Sequence, residues 1–141
     1  VNQFKISYIY QKQLKMDNTT NALNWFEIPA TNIERSKQFY QSIFEIKMDE
    51  MKMEGMTMAF FPMSPGNGKA SGAIAKSDQH IPDTTGAIVY LNANPNMDNV
   101  LGKVEAAGGK ILLPKMAIGE NGFMAYILDT EGNKVGVHSV E

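Results

Sequence analysis

Leu23 to Phe44, LNWFEIPATNIERSKQFYQSIF, decides the fold, because it reads as a half-buried strand, a capped turn and an amphipathic helix in immediate succession. Phe26 and Ile28 alternate with Trp25 and Glu27, so one strand face presents Phe and Ile and the other Trp and Glu. Pro29 closes the strand. Thr31 followed by Glu34 has the spacing of a capping box, and Ile33, Phe39, Tyr40, Ile43 and Phe44 form the stripe that such a helix buries.

Downstream, IKMDEMKMEGMTMAFFPM predicts a hairpin turning at Glu54-Gly55, since Gly accepts the positive φ of a two-residue turn. If Met53 faces Met56, then Met51 pairs with Met58 and Asp49 with Phe60, all on one side. That side carries four methionines and a phenylalanine and is expected to point inward; Glu50, Lys52, Thr57 and Ala59 take the other. A Pro/Gly/Ser-rich loop leads to the strand SGAIA, and the polar link Lys76 to Thr85 is the expected module boundary. A strand over Ala87 to Leu91 and a helix with Met97, Val100, Leu101 and Val104 on one face follow, ending at Gly108-Gly109. Strands at Lys110 to Leu113, Phe123 to Leu128 and Val135 to Val140 complete the chain, the last two joined by the tight turn DTEGN.

Strand, helix and three strands thus occur twice. MAFF from Met58 matches MAYI from Met124, SGAIA from Ser71 matches VGVHS from Val135, and WFEI from Trp25 matches AIVY from Ala87. The expected organisation is one domain over residues 21–141, with modules at about 21–76 and 85–140. Residues 1–20 are read as an N-terminal extension, although Phe4, Ile6, Tyr8 and Tyr10 alternate as an added edge strand would.

The 141 residues, 43% of them hydrophobic, suffice for a single core, and a formal net charge of -2 gives no footprint for nucleic acid or an anionic membrane. Cysteine is absent, which removes disulfides and thiolate chemistry. With no apolar run of membrane-spanning length and no signal-peptide pattern in the first residues, the expectation is a soluble cytoplasmic protein.

WFEIP followed by ERSKQFYQSIF, then VEAAGGKI and DTEGNKVGV, resembles the vicinal oxygen chelate superfamily of glyoxalase I, bleomycin-resistance proteins and extradiol dioxygenases, over Leu23 to Val140. The resemblance implies an α+β fold of two βαβββ modules, their sheets curved around a shared cavity, commonly in a homodimer. It also implies metal ligands on the first and last strands of each module, at positions that here fall on Trp25, Ala87, Gly72 and Gly136. None offers a ligating side chain. The expectation is therefore no metal and no cofactor.

Two histidines remain. His80 lies in the polar link and reads as a solvated surface residue. His138 shares a strand face with Gly136, toward the implied cavity, and Glu27 shares the Trp25 face, with Lys134 or His138 as its expected partner. Glu27 and His138 are the candidate catalytic groups. Trp25, Met58, Phe60, Met124 and Tyr126 form a soft apolar wall, read either as core or as a pocket for a flat apolar or aromatic ligand. Three functions stay open: a metal-free small-molecule binding protein, a lyase or isomerase using Glu27 and His138 or a divergent metal site, and an interaction module.

Overall fold

The computed structural model describes residues 15–141 apart from 65 and 67, so the alternation at Phe4 to Tyr10 lies outside the described residues. The first module runs β1 (Trp25–Pro29), α1 (Ile33–Phe44), β2 (Asp49–Met53), β3 (Met56–Phe60) and β4 (Ser71–Lys76). The second runs β5 (Tyr90–Asn92), α2 (Asp98–Val104), β6 (Lys110–Ala117), a 3-10 turn at Gly119–Asn121, β7 (Phe123–Leu128) and β8 (Lys134–Ser139). Each builds a four-stranded sheet, ordered β1-β4-β3-β2 and β5-β8-β7-β6, in which the first strand is parallel to the last and the other neighbours are antiparallel. The fold is α+β and neither sheet closes into a barrel.

Several local expectations change. The cap of α1 is Asn32, whose side chain accepts from the Arg35 N–H at 3.0 Å, while Glu34 pairs along the helix with Gln38. Thr31 instead gives its N–H and hydroxyl to Glu131 of the second module. The strand expected at Ala87 to Leu91 forms only over Tyr90–Asn92, and β6 runs on through Pro114 to Ala117 with register shifts after Ile111 and Leu113. Proline fits there because β6 is an edge strand.

The hairpin register is as the turn dictates: Met53 opposite Met56, Met51 opposite Met58, Asp49 opposite Phe60. Its facing needs correction. The core lies on the other side of the sheet, where Ile28, Ala59 and Ile74 pack against Phe39, Tyr40 and Ile43 of α1. Helix α1 covers the inner strands only, so Glu50 on that side pairs with Lys37 of α1 at 3.3 Å instead of entering the core. The methionines line the face turned away from the helix, called the open face below. Met58 is buried there with Ala73 and Ala75, whereas Met51 and Met53 at the edge stay half exposed.

One apolar core joins both modules, drawing Leu91, Met97, Val100, Val104, Ile127, Val135 and Val137 together with the α1 stripe. The polar seam is the DTEGN turn. The Tyr40 hydroxyl donates to Asp129 at 2.8 Å, and the Asn133 amide donates to the Pro29 carbonyl at 2.7 Å. The Glu131 side chain is fully buried and accepts from the Thr31 and Asn32 N–H groups at 2.9 and 2.7 Å and from Arg35 Nε at 2.7 Å. A carboxylate from one module thus serves the N-terminus of the other module's helix, where the unpaired N–H groups and the helix dipole favour negative charge. Burial alone would raise the Glu131 pKa, but the bonds from Arg35, Asn32 and Thr31 outweigh it and hold the carboxyl below its ordinary value.

Candidate functional site

Strand alternation divides each sheet into a helix-covered face and an open face. On the first sheet the open face carries Trp25, Glu27, Met58, Phe60, Ala73 and Ala75, through the pairings Glu27 with Ala73, Phe60 with Ala73 and Met58 with Ala75. The Trp25 and Phe60 rings meet with centroids 5.9 Å apart, and Phe60 packs against the Met58 cluster. On the second sheet the pairings place Tyr90, Gly136 and Tyr126 in one row and Asn92, His138 and Met124 in the next. The five wall residues therefore form two groups, one on each sheet.

The polar groups are arranged differently from expectation. His138 meets no carboxylate among the described residues; its Nε2 lies 2.6 Å from the Asn121 carbonyl, so the ring pins the 3-10 turn to β8. The partner of Glu27 is His80. The link leaving β4 returns over the open face, bringing His80 Nε2 to 2.8 Å from Glu27 Oε1, while Trp25 Nε1 donates to Oε2 at 3.2 Å. Ser77 Oγ lies 2.6 Å from His80 Nδ1, and the His80 side chain is only 16% exposed, which corrects its reading as a solvated surface residue. Bonding to His80 is the main reason the Glu27 carboxyl sits below its ordinary value; burial opposes the shift and Trp25 adds to it.

The second sheet contributes a pair of phenols that sequence reasoning missed. Tyr90 and Tyr126 stand with hydroxyls 2.9 Å apart and ring centroids 6.0 Å apart, and Lys134 Nζ lies 5.5 Å from the centre of the Tyr126 ring. That bond, with burial adding to it, holds Tyr90 above the ordinary phenol pKa.

The strand-closing bonds fix the internal equivalence: Ala30 N–H donates to the Ala75 carbonyl at 2.9 Å, and Ala93 N–H to the His138 carbonyl at 2.8 Å. Counting back from these, Tyr90 is the repeat partner of Glu27, Gly136 of Ala73, and Tyr126 of Phe60. The MAFF–MAYI match holds. The other two matches are off by one residue, because Gly72 turns to the core, where a Cβ would come within 2.6 Å of the Phe26 ring, and Ala87 lies outside β5.

Two cavities flank the joint between the sheets. The smaller, about 160 Å³, is lined by Glu27, Ile81, Asp83, Val89 and Lys134 and so draws on both sheets and on the link between them. The larger, about 1250 Å³, opens on the helix side among Phe26, Phe44, Phe61, Val89 and Leu91. Its polar rim is engaged locally: Lys103 pairs with Glu45 at 3.3 Å, and the Asn92, Asn94 and Asn96 side-chain oxygens accept backbone N–H groups. The open face, where ionisable and phenolic groups gather beside apolar rings, is the better candidate site.

Comparison with known proteins places this geometry. The model of the Glyoxalase/Bleomycin resistance protein/Dioxygenase superfamily matches residues 22–137. The chain belongs to that superfamily. Over 116 residues it is 32% identical to "Putative glyoxylase CFP32" of Mycobacterium tuberculosis, a match covering 81% of this chain and 44% of that protein. The chain thus spans less than half the length of this curated relative. Glyoxalase I from Zea mays superposes with a TM-score of 0.63 at 19% identity, covering 82% of this chain and 45% of the maize protein. A glyoxalase/bleomycin resistance protein from Albidiferax ferrireducens superposes with a TM-score of 0.58 at 19% identity, covering 83% and 98%. At such identities the structures establish the fold.

The superfamily's metal can be tested against the residues present. With the repeat corrected, the inherited ligand positions are Trp25, Ala73, Ile88 and Gly136, and no side chain among them carries a ligating atom suited to a divalent cation. Among the described residues no group of three or more His, Cys, Asp or Glu converges. Glu27 and His80 are already bonded to each other. The residues do not fit the metal.

Proposed function

We propose that this superfamily member is a metal-free binding protein for a small, flat apolar or aromatic molecule, held on the open face by Trp25, Met58, Phe60, Met124 and Tyr126. The observation that carries this reading is the open face itself. Aromatic rings and methionine stand there beside the Glu27–His80 pair and the two phenols, at the strands where the superfamily's metal ligands would otherwise project. Trp and Met surfaces adapt to planar ligands and gain from ring stacking. The alternative, a lyase or isomerase drawing on Glu27 and His138, has less support, since Glu27 is paired with His80 and His138 with the Asn121 carbonyl. The activity in the name of the mycobacterial relative belongs to a much longer protein.

The reading extends to a cytoplasmic homodimer. Trp25, Met51, Met53 and Met116 are each more than a third exposed, and a second copy that covers them would also close the open face over its ligand. Thermal shift tests the binding claim: aromatic probes raise the melting temperature, whereas Mg²⁺, Mn²⁺, Ni²⁺ and Zn²⁺ leave it unchanged after chelator treatment. A rise with one divalent ion alone contradicts the metal-free reading. Light scattering at micromolar concentration gives twice the chain mass if the dimer is right, and the single-chain mass if it is not.

A further inference from the structure

The packing at Gly136 excludes any side chain there. An added Cβ would lie 2.6 Å from Tyr90 Cδ1 and 2.7 Å from Cε1, because the Tyr90 ring lies flat against the Gly136 backbone. The residue that occupies the space of the missing ligand is therefore Tyr90, which the repeat makes the counterpart of Glu27. Its position brings its hydroxyl to 2.9 Å from that of Tyr126.

Two phenols own two protons. Their mutual bond uses one, so whichever oxygen donates, the other hydroxyl keeps a proton with no acceptor among the described residues. Tyr90 is 46% exposed, which leaves this donor accessible from the open face. Lys134 adds positive charge beside Tyr126. The two carboxylates that line the neighbouring joint cavity are occupied: Glu27 accepts from His80 and Trp25, and Asp83 from the Thr84 and Thr85 N–H groups. A free donor, a hydrogen-bonded pair of phenols and a nearby ammonium suit an oxygen that carries negative charge.

We infer that the Tyr90–Tyr126 hydroxyl pair is an oxygen subsite of the open face, selecting ligands that join a planar aromatic body to an anionic oxygen such as a phenolate. It rests on the binding function proposed above and specifies the ligand class. The pair stands in for a Lewis acid by hydrogen bonding alone.

Nitrobenzene and 4-nitrophenolate separate the two claims, since both have the flat body and only one the anionic oxygen. Binding is measured for each by quenching of Trp25, the only tryptophan, at a pH where 4-nitrophenol is ionised and confirmed by calorimetry. The wild-type protein is expected to bind 4-nitrophenolate at least about tenfold more tightly than nitrobenzene, the scale of a hydrogen bond to a charged group. Tyr126→Phe and Tyr90→Phe should each bring the ratio of the two affinities close to one, whatever either does to nitrobenzene binding itself. Gly136→Ala, which displaces the Tyr90 ring, should do the same. If both probes bind equally to the wild type, or if the preference survives in both Phe variants, the oxygen subsite is wrong and the apolar face stands. If neither probe binds, the apolar face and the subsite fall together.

Discussion

Glu131 sits in a turn of the second module and holds the helix start of the first, so its removal tests whether the modules are stabilised through that seam. Glu131→Ala leaves the Thr31 and Asn32 N–H groups and Arg35 without their acceptor, and we expect a loss of about 2–3 kcal/mol by chemical denaturation. Arg35 is half exposed, so most of that loss comes from the N–H groups and little from the ion pair. The same residue sets an acid response. Glu27 and Glu131 both lie below the ordinary glutamate value of 4.5, and a depressed carboxyl stabilises the fold above its unfolded pKa and loses that contribution as pH falls through its folded one. Stability should therefore decline below about pH 4.5, and Glu131→Gln should flatten the decline; an unchanged slope would remove Glu131 from the seam. Ser36 is the opposite case. Its hydroxyl is buried on α1 without a partner among the described residues, so Ser36→Ala should be neutral or stabilising by about 1 kcal/mol.

At the scale of elements, the β2–β3 hairpin separates register from burial. Met58 is buried against Ala73 and Ala75, and Met58→Ala should cost about 2–3 kcal/mol. Met51, directly opposite it, is half exposed, and Met51→Lys should change monomer stability by no more than about 0.5 kcal/mol. Equal costs would mean the edge strand is covered. The register was legible because a two-residue turn fixes cross-strand partners by geometry. The facing was not, because alternation cannot tell which side a helix will cover, and a helix 12 residues long covers only part of a four-stranded sheet. Similarly, Thr31 and Glu34 carry a capping-box spacing, yet the cap is Asn32 because Thr31 is claimed by a residue 100 positions away. Local spacing cannot register such competition.

For the whole molecule, the double βαβββ order was legible from strand and helix periodicities repeated in the same sequence, and it survives off-by-one errors in two of the three matches. Those errors mattered more at the site. Placing Ala87 against Trp25 hid the fact that Tyr90 occupies the position of Glu27, and nothing in the polar link signalled that His80 would fold back onto that carboxylate. Partners across the joint are set by tertiary packing, which residue order alone does not carry. The central claim, binding of an aromatic molecule on the open face without a metal, is tested most directly by titrating nitrobenzene into chelator-treated protein while following Trp25 fluorescence. The expected result is saturable quenching, with a dissociation constant unchanged when divalent ions are restored and weakened by Phe60→Ala. Quenching that never saturates, or that saturates only after a divalent ion is added, would contradict it.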